Sequence, residues 1–195
     1  MGVLRIVSGV YGGRFIKAPD GGQTRPTAQF VREALFGIIA PLVAGATFAD
    51  VFAGSGAIGV EALSRGAARA LFADRSRGCA GLIRENLGRL GISEREAVTV
   101  RVDMASDSAP GMLADGLSRL GAAAADIIYA DPPYGYADIG ALPLILSAPR
   151  ILAPSGVLIL EHGKKAAPPQ SAGILEKYDE RKYGDTRLSF YRKIT

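Results

Sequence analysis

Two short stretches carry residues whose types and spacing could do chemistry. The first is Asp131-Pro132-Pro133-Tyr134, which follows the apolar run Ile127-Ile128-Tyr129-Ala130. It is therefore expected at the carboxyl end of a buried strand, the edge where open α/β sheets bind ligands. Two adjacent prolines fix φ and remove two backbone donors, leaving carbonyl acceptors; Asp131 adds a carboxylate and Tyr134 a flat aromatic face. That set suits a planar exocyclic amine on a nucleobase. Such an amine is a poor nucleophile because its lone pair is delocalised into the ring. The Asp131 carboxylate and the Pro132 carbonyl could hold its two N–H groups and favour a pyramidal nitrogen, while Tyr134 stacks on the base for about 1–3 kcal/mol. Taken alone, the four residues could also be a turn after a strand.

The second stretch is Asp50-Val51-Phe52-Ala53-Gly54-Ser55-Gly56-Ala57-Ile58-Gly59. It has the pattern of a strand, a glycine turn and a helix. Gly54 and Gly56 permit a tight turn close to a ligand, and Gly59 permits close helix–strand packing. With Asp74 as a ribose-binding acid further on, the pattern fits a nucleoside cofactor, NAD included. A dehydrogenase reading leaves Asp131–Tyr134 unexplained, however, and a carboxylate at Asp50 would repel a diphosphate but attract a sulfonium. A methyl donor over the glycine turn would face the amine in line, with catalysis coming from positioning and preorganised acceptors.

The elements that must position these stretches follow from periodicity. Leu4–Val7 and Arg14–Lys17 flank Gly9, Gly12 and Gly13 as a hairpin, and 18–26 reads as loop. Thr27 is the expected N-cap of a helix carrying Phe30, Val31, Ala34, Leu35, Ile38 and Ile39, with Pro41 marking its end. Strands are expected at 47–52, 69–73, 98–102, 126–130 and 156–160, and helices at 57–65, 77–90, 107–120 and 138–150. Short apolar runs alternating with helices predict a doubly wound α/β sheet covered on both faces. Two strands around Gly184-Asp185 (173–178 and 188–192) should pair antiparallel at its edge. The loop at 163–172 is expected to be mobile.

Composition narrows the function classes. The 195 residues suit one domain with a small extension, and 48% hydrophobic content supports a proper core. No apolar run reaches the roughly 20 residues of a membrane span, no signal peptide is visible, and the single Cys79 suits a reducing compartment, so a cytoplasmic location is expected. One His and one Cys give no metal-ligand cluster. Cys79 is far in sequence from Pro132-Pro133, so the cysteine nucleophile of cytosine-C5 methylation is not evident. His162, beside Glu161, is expected to be structural. Net charge is +4, and it is uneven: Lys/Arg outnumber acids five to two over residues 1–37 and eight to five over 161–195, against ten to twelve between. Basic flanks around a slightly acidic body suit phosphate contacts away from the chemistry.

Together these motifs resemble the class I S-adenosylmethionine-dependent amino-methyltransferases, and specifically the bacterial 16S ribosomal RNA guanine-N2 methyltransferase family of the RsmD type. The likeness rests on Leu4–Gly9 with Gly13-Arg14, Arg25-Pro26-Thr27 with Val31–Phe36, Asp50–Gly59 continuing through Glu61–Ala67, Asp131–Tyr134, and Tyr183–Thr186. Thr24 and Gln29-Phe30 depart from the family's usual wording. The resemblance implies a Rossmann-like, mostly parallel seven-stranded sheet with an antiparallel C-terminal edge hairpin and an RNA-facing N-terminal hairpin (1–26) on a methyltransferase domain (27–195). It implies S-adenosylmethionine as cofactor, with Asp50, Phe52, Gly54, Ser55 and Gly56 around its methionine part, Asp74 at the ribose, and Asp103 and Met104 at the adenine. Asp131, Pro132, Pro133 and Tyr134 become the catalytic set. Arg5, Arg14, Lys17, Arg25 and Arg32 are the candidate RNA contacts, since a splayed-out base needs its backbone clamped. The implied partner is 16S ribosomal RNA within a small-subunit particle, bound by a monomer. A DNA adenine-N6 methyltransferase shares the four-residue motif and is the nearest enzymatic rival, although no separate target-recognition domain fits in 195 residues. A non-catalytic RNA-binding assembly factor is the rival of another class.

Overall fold

The computed structural model describes residues 2–19 and 26–194. A hairpin of β1 (Gly2–Arg5) and β2 (Phe15–Ala18) leads to α1 (Pro26–Val43), and then strands and helices alternate. They are β3 (Thr47–Val51), α2 (Ala57–Ser64), β4 (Arg69–Asp74), α3 (Arg77–Leu90), β5 (Ala97–Arg101), α4 (Ala109–Arg119), β6 (Ala125–Ala130), α5 (Leu142–Leu146) and β7 (Leu152–Gly163). The chain closes with β8 (Ser171–Ala172), β9 (Leu175–Tyr183) and β10 (Thr186–Lys193).

The main sheet has the order β5-β4-β3-β6-β7-β10-β9-β8, and β1-β2 forms a separate ribbon. The pairs from β5 through β7 are parallel, and β10 inserts antiparallel between β7 and β9. The expected seven-stranded doubly wound sheet is therefore present, with the two-residue β8 as an added outer rung. Chain order reverses between β3 and β6, so a crevice opens beyond their carboxyl ends.

Both faces are covered, which explains why these strands are continuously apolar. Phe48, Phe72, Ile127 and Ile159 pack with Leu35, Val60 and Ile83 from α1, α2 and α3. Ala49, Leu71, Ile128 and Leu158 pack on the other face with Leu113, Leu117 and Leu146 from α4 and α5. Fully burying each large side chain contributes roughly 1.5–3 kcal/mol. Gly59 lets α2 pack closely on β4: a Cβ there would lie 2.3 Å from Phe72 Cε1.

The amino-terminal hairpin is bound into the body by buried polar side chains. Glu61 on α2, with no exposed surface, accepts the Val7 and Ser8 N–H groups at 2.8 and 3.0 Å and pairs with Arg65 at 2.8 Å. Ser64 Oγ accepts the Tyr11 N–H, and the Ser64 carbonyl accepts that of Val10. Asn86 on α3 both accepts from the Lys17 N–H and donates to its carbonyl, each at 2.9 Å. Gly9, at φ 81°, lies so near α2 that a Cβ would fall 1.7 Å from the Ser64 carbonyl oxygen.

Several boundaries differ from expectation. Helix α1 starts at Pro26, so Thr27 lies inside its first turn, and it continues past Pro41 to the buried Val43. A proline in the last turn removes only one hydrogen bond, which burial of Val43 offsets. The helix expected over 138–150 shrinks to Leu142–Leu146 between Gly140 and Pro149. Strand β7 is longer than 156–160 because it pairs with β6 on one side and β10 on the other. The 163–172 segment, expected to be mobile, is pinned: Lys164 N–H donates to the Asp185 carbonyl at 2.7 Å and Tyr191 Oη to that of Pro169 at 2.8 Å. Among the described residues, no helix is long and apolar enough to cross a membrane.

Candidate active site

Strand register gathers the acids. Asp50 on β3 pairs with Tyr129 on β6, which pairs with Ile159 on β7; the next step pairs Val51 with Ala130 and Ala130 with Leu160. Asp131 and Glu161 therefore follow side by side. Asp74 ends β4 opposite Arg101, and Asp103 comes two residues later. Five adjacent parallel strands thus each bring one carboxylate to the same sheet edge. No single stretch of sequence contains that grouping.

The glycine turn hangs from this edge. Asp50 Oδ2 accepts the Gly59 N–H at 2.9 Å, and Asp74 uses Oδ2 for the Gly54 N–H at 2.9 Å and Oδ1 for the Ser76 N–H at 2.8 Å. Gly54 and Gly56 have φ of 55° and 79°. Phe52, at φ 65°, is a non-glycine residue in the left-handed region, which costs roughly 1–2 kcal/mol and aims its ring edge-on at Tyr136, 5.4 Å away. Ser55 is buried, Gly54 partly so. Asp103 is exposed, with Oδ1 accepting the Ala105 N–H at 3.1 Å; Met104 is buried and packs into the apolar layer, so Asp103 is the side chain presented at that corner.

Two cavities meet at Asp131 and Glu161. One, of about 440 Å³, is also lined by Val3, Arg5, Phe15, Arg32, Asp50, Gly54, Ser55 and Tyr129. The other, of about 400 Å³, is lined by Pro132, Pro133, Tyr134, Tyr136, His162 and Lys165. The Pro133 carbonyl accepts the Tyr136 N–H at 3.0 Å, closing a turn that leaves Tyr134 79% exposed with its ring against Gly163.

Electrostatics at the shared wall are unusual. Burial pushes the Asp50 carboxyl up to about 8, helped by Asp74 and opposed by the Gly59 N–H. Asp131 is crowded by protein yet open to the cavities; desolvation, then Glu161 and Asp50, raise its carboxyl well above the usual range. Burial also raises Glu161, against the hydrogen bond it accepts from the Tyr129 hydroxyl. Desolvation and the neighbouring Glu161 hold Tyr129 itself neutral by raising its phenol. Three carboxyls that resist ionising together form a wall that a cation would relieve.

The other expected contacts separate. Arg5 is exposed and lines the first cavity. Arg14 donates to the Arg89 and Leu90 carbonyls, at 3.0 and 3.4 Å, at the end of α3. Lys17 pairs with Glu85. Arg32 is buried, donates to the Arg5 carbonyl at 3.0 Å, and keeps an unpartnered Nε at the cavity wall; desolvation lowers its guanidinium. Arg25 lies outside the described residues. His162 is buried between the Gly163 carbonyl, 3.1 Å from Nδ1, and Ser189 Oγ, 2.9 Å from Nε2, which favours a structural role. Sequence reasoning missed Glu161, Tyr129 and Glu61. Glu161 carried one usable signal, an acid closing an apolar run at a sheet's carboxyl edge.

The family model described as conserved hypothetical protein 95, the RsmD family, matches residues 4–192. The chain belongs to this family. Among RsmD-family relatives, it is 32% identical over 190 residues, 97% of this chain and 99% of the other, to YlbH of Bacillus subtilis, provisionally named an rRNA methyltransferase. It is 35% identical over 133 residues to ribosomal RNA small subunit methyltransferase D of Escherichia coli, covering 68% of this chain and 61% of that one. The solved structure of yhhF from Escherichia coli, provisionally titled a methyltransferase, superposes with a TM-score of 0.79 at 28% identity over 98% of both chains. The fold is that of the Rossmann-like methyltransferases.

Proposed function

We propose that this protein methylates the N2 amine of a guanine in small-subunit ribosomal RNA, with S-adenosylmethionine as cofactor. The observation that carries the reading is Asp131, on a wall rich in carboxyls, which lines one cavity with Gly54 and Ser55 of the glycine turn and the adjoining cavity with Pro132 and Tyr134. Relatives of the same family that bear the name of an rRNA small-subunit methyltransferase support it.

The donor set fits a sulfonium cofactor. Asp50 and Asp131 lie in surroundings where a positive ligand would stabilise their ionised forms, and Asp74 and Asp103 stand at the ends of neighbouring strands for hydroxyl and amine donors. When bound, S-adenosylmethionine supplies an electrophilic methyl whose carbon is taken by the amine lone pair while the C–S electron pair stays on sulfur. The chain's own task is to hold the amine. Asp131 and the Pro132 carbonyl accept its N–H groups, Tyr134 stacks on the base, and the Asp131 carboxylate accepts the proton that the methylated nitrogen sheds. Arg5 at the mouth and the exposed Val3 and Phe15 support a reading in which the amino-terminal hairpin faces RNA, in a chain that acts as a cytoplasmic monomer on a ribosomal particle.

Replacement of Asp131 by Ala tests the assignment. Methyl transfer should fall by about a hundred- to a thousandfold, the scale of removing one preorganised group, and cofactor affinity by clearly less. Equal losses of affinity and transfer would refute the role of Asp131 as amine acceptor.

A further inference from the structure

Glu161 has no part in the chemistry above, yet it borders both cavities beside Asp131. It sits one step past the Ala130–Leu160 pair, at the level of Asp131 on the neighbouring strand. The Tyr129 hydroxyl donates to Oε2, which fixes the carboxylate and leaves Oε1 as an acceptor at the wall. Tyr129 is buried and tied by register to Asp50, so this arrangement is part of the rigid sheet. Two carboxylates on adjacent strands, one of them held by a buried phenol, form an acceptor pair about one strand spacing apart, roughly 4.8 Å.

Amine-bearing bases differ in what lies beside the amine. Next to the guanine N2 amine is N1–H, a donor. Next to the adenine N6 amine is N1, and next to the cytosine N4 amine is N3; both are bare acceptors. A second carboxylate beside the amine acceptor would therefore welcome guanine and repel the others, and a mispaired buried acceptor costs more than a good pair contributes. We propose that Glu161, positioned by the Tyr129 hydroxyl, accepts the N1–H of the target guanine and so selects guanine among amine-bearing bases. The inference rests on the guanine-methylation reading above, and assigns the specificity to a residue outside the Asp-Pro-Pro-Tyr stretch. The raised carboxyls of Asp131 and Glu161 agree with it, because a pair that resists ionising alone is relieved when each accepts an N–H.

The test uses small-subunit RNA or particles carrying either guanine or 2-aminopurine at the target position. 2-Aminopurine keeps the amine but has a bare N1. The wild-type protein should prefer guanine in kcat/KM by about 10- to 100-fold, the range of one good base-edge pair. In Glu161→Gln the side-chain amide can donate to the bare N1, and the preference should fall to within about threefold or invert. Tyr129→Phe should reduce the preference part-way by loosening Glu161. The ratio is taken within each variant, so a general loss of activity cancels. For a variant too slow to assay, 2-aminopurine fluorescence gives the affinity of the substituted RNA directly and that of the guanine RNA by competition, and the same change in ratio is expected. A wild-type ratio retained in Glu161→Gln, by rate and by affinity, overturns the assignment of Glu161. A wild-type protein that methylates no guanine overturns instead the reading on which it rests.

Discussion

Asp50 offers the sharpest physical test of the site, because its buried carboxyl has an ordinary value of 3.8 and is pushed up to about 8 in the fold. The sign follows from proton binding. Below about pH 4 the carboxyl is protonated in both folded and unfolded chains and costs nothing. Above that, the unfolded chain ionises while the folded one stays protonated until about pH 8, so rising pH progressively favours unfolding. Each pH unit between these limits costs about 1.4 kcal/mol, giving about 2.7 kcal/mol between pH 5 and 7 and a ceiling near 6 kcal/mol at pH 8. Asp50→Asn removes the titration while its side-chain oxygen can keep the Gly59 N–H. Urea denaturation of both proteins at pH 5, 6, 7 and 8 measures the effect, and subtraction cancels the titrating groups that do not interact with Asp50. The variant should gain on the wild type as pH rises, by roughly 1 M in urea midpoint between pH 5 and 7 for a typical m-value. A flat difference, or one of opposite sign, would refute the claim that Asp50 is held protonated. An acid kept at such a cost marks a position retained for binding rather than stability.

Other perturbations follow from the same geometry. Glu61→Ala orphans the Val7 and Ser8 N–H groups and should cost about 3–5 kcal/mol, with hydrogen exchange accelerating first at those two amides; uniform acceleration across the sheet would contradict a local clamp. Gly59→Ala drives a Cβ to 2.3 Å from Phe72 and should lose about 1–3 kcal/mol in denaturation despite better helix propensity, so an unchanged melting temperature would show that Phe72 can yield. Tyr134→Ala, at a 79% exposed position, should leave stability unchanged and lower kcat/KM on RNA by about 5- to 100-fold, matching the worth of one stacked base; no kinetic change would remove Tyr134 from the site.

Much of the fold was legible because the parallel strands are short apolar runs and the glycine turn has its own pattern. Helix α3 begins and ends where periodicity places it, with Ser76 capping its start and Gly91 its end. What sequence obscured was set by pairing in space. The length of β7 depends on two partners far away in the chain, and α5 is confined between Gly140 and Pro149, whose effect depends on the turn around them. The candidate site was half visible. Asp50, Asp74, Asp103 and Asp131 stand at predicted strand ends, but Glu161 gains meaning only when register sets it beside Asp131. The basic residues were least legible, because a charge pattern does not distinguish Arg14 closing a helix end or Arg32 buried in a cavity wall from a solvent-facing contact.

Mapping the modified base separates guanine-N2 methylation from its rivals in one experiment. The protein is incubated with methyl-labelled S-adenosylmethionine and, separately, small-subunit particles lacking the modification, free 16S RNA and duplex DNA, and the labelled nucleoside is then identified by mass spectrometry. N2-methylguanosine is expected in the ribosomal substrate, and none with Asp131→Ala. Label recovered only as N6-methyladenine in DNA, or no transfer to any nucleic acid, would contradict it.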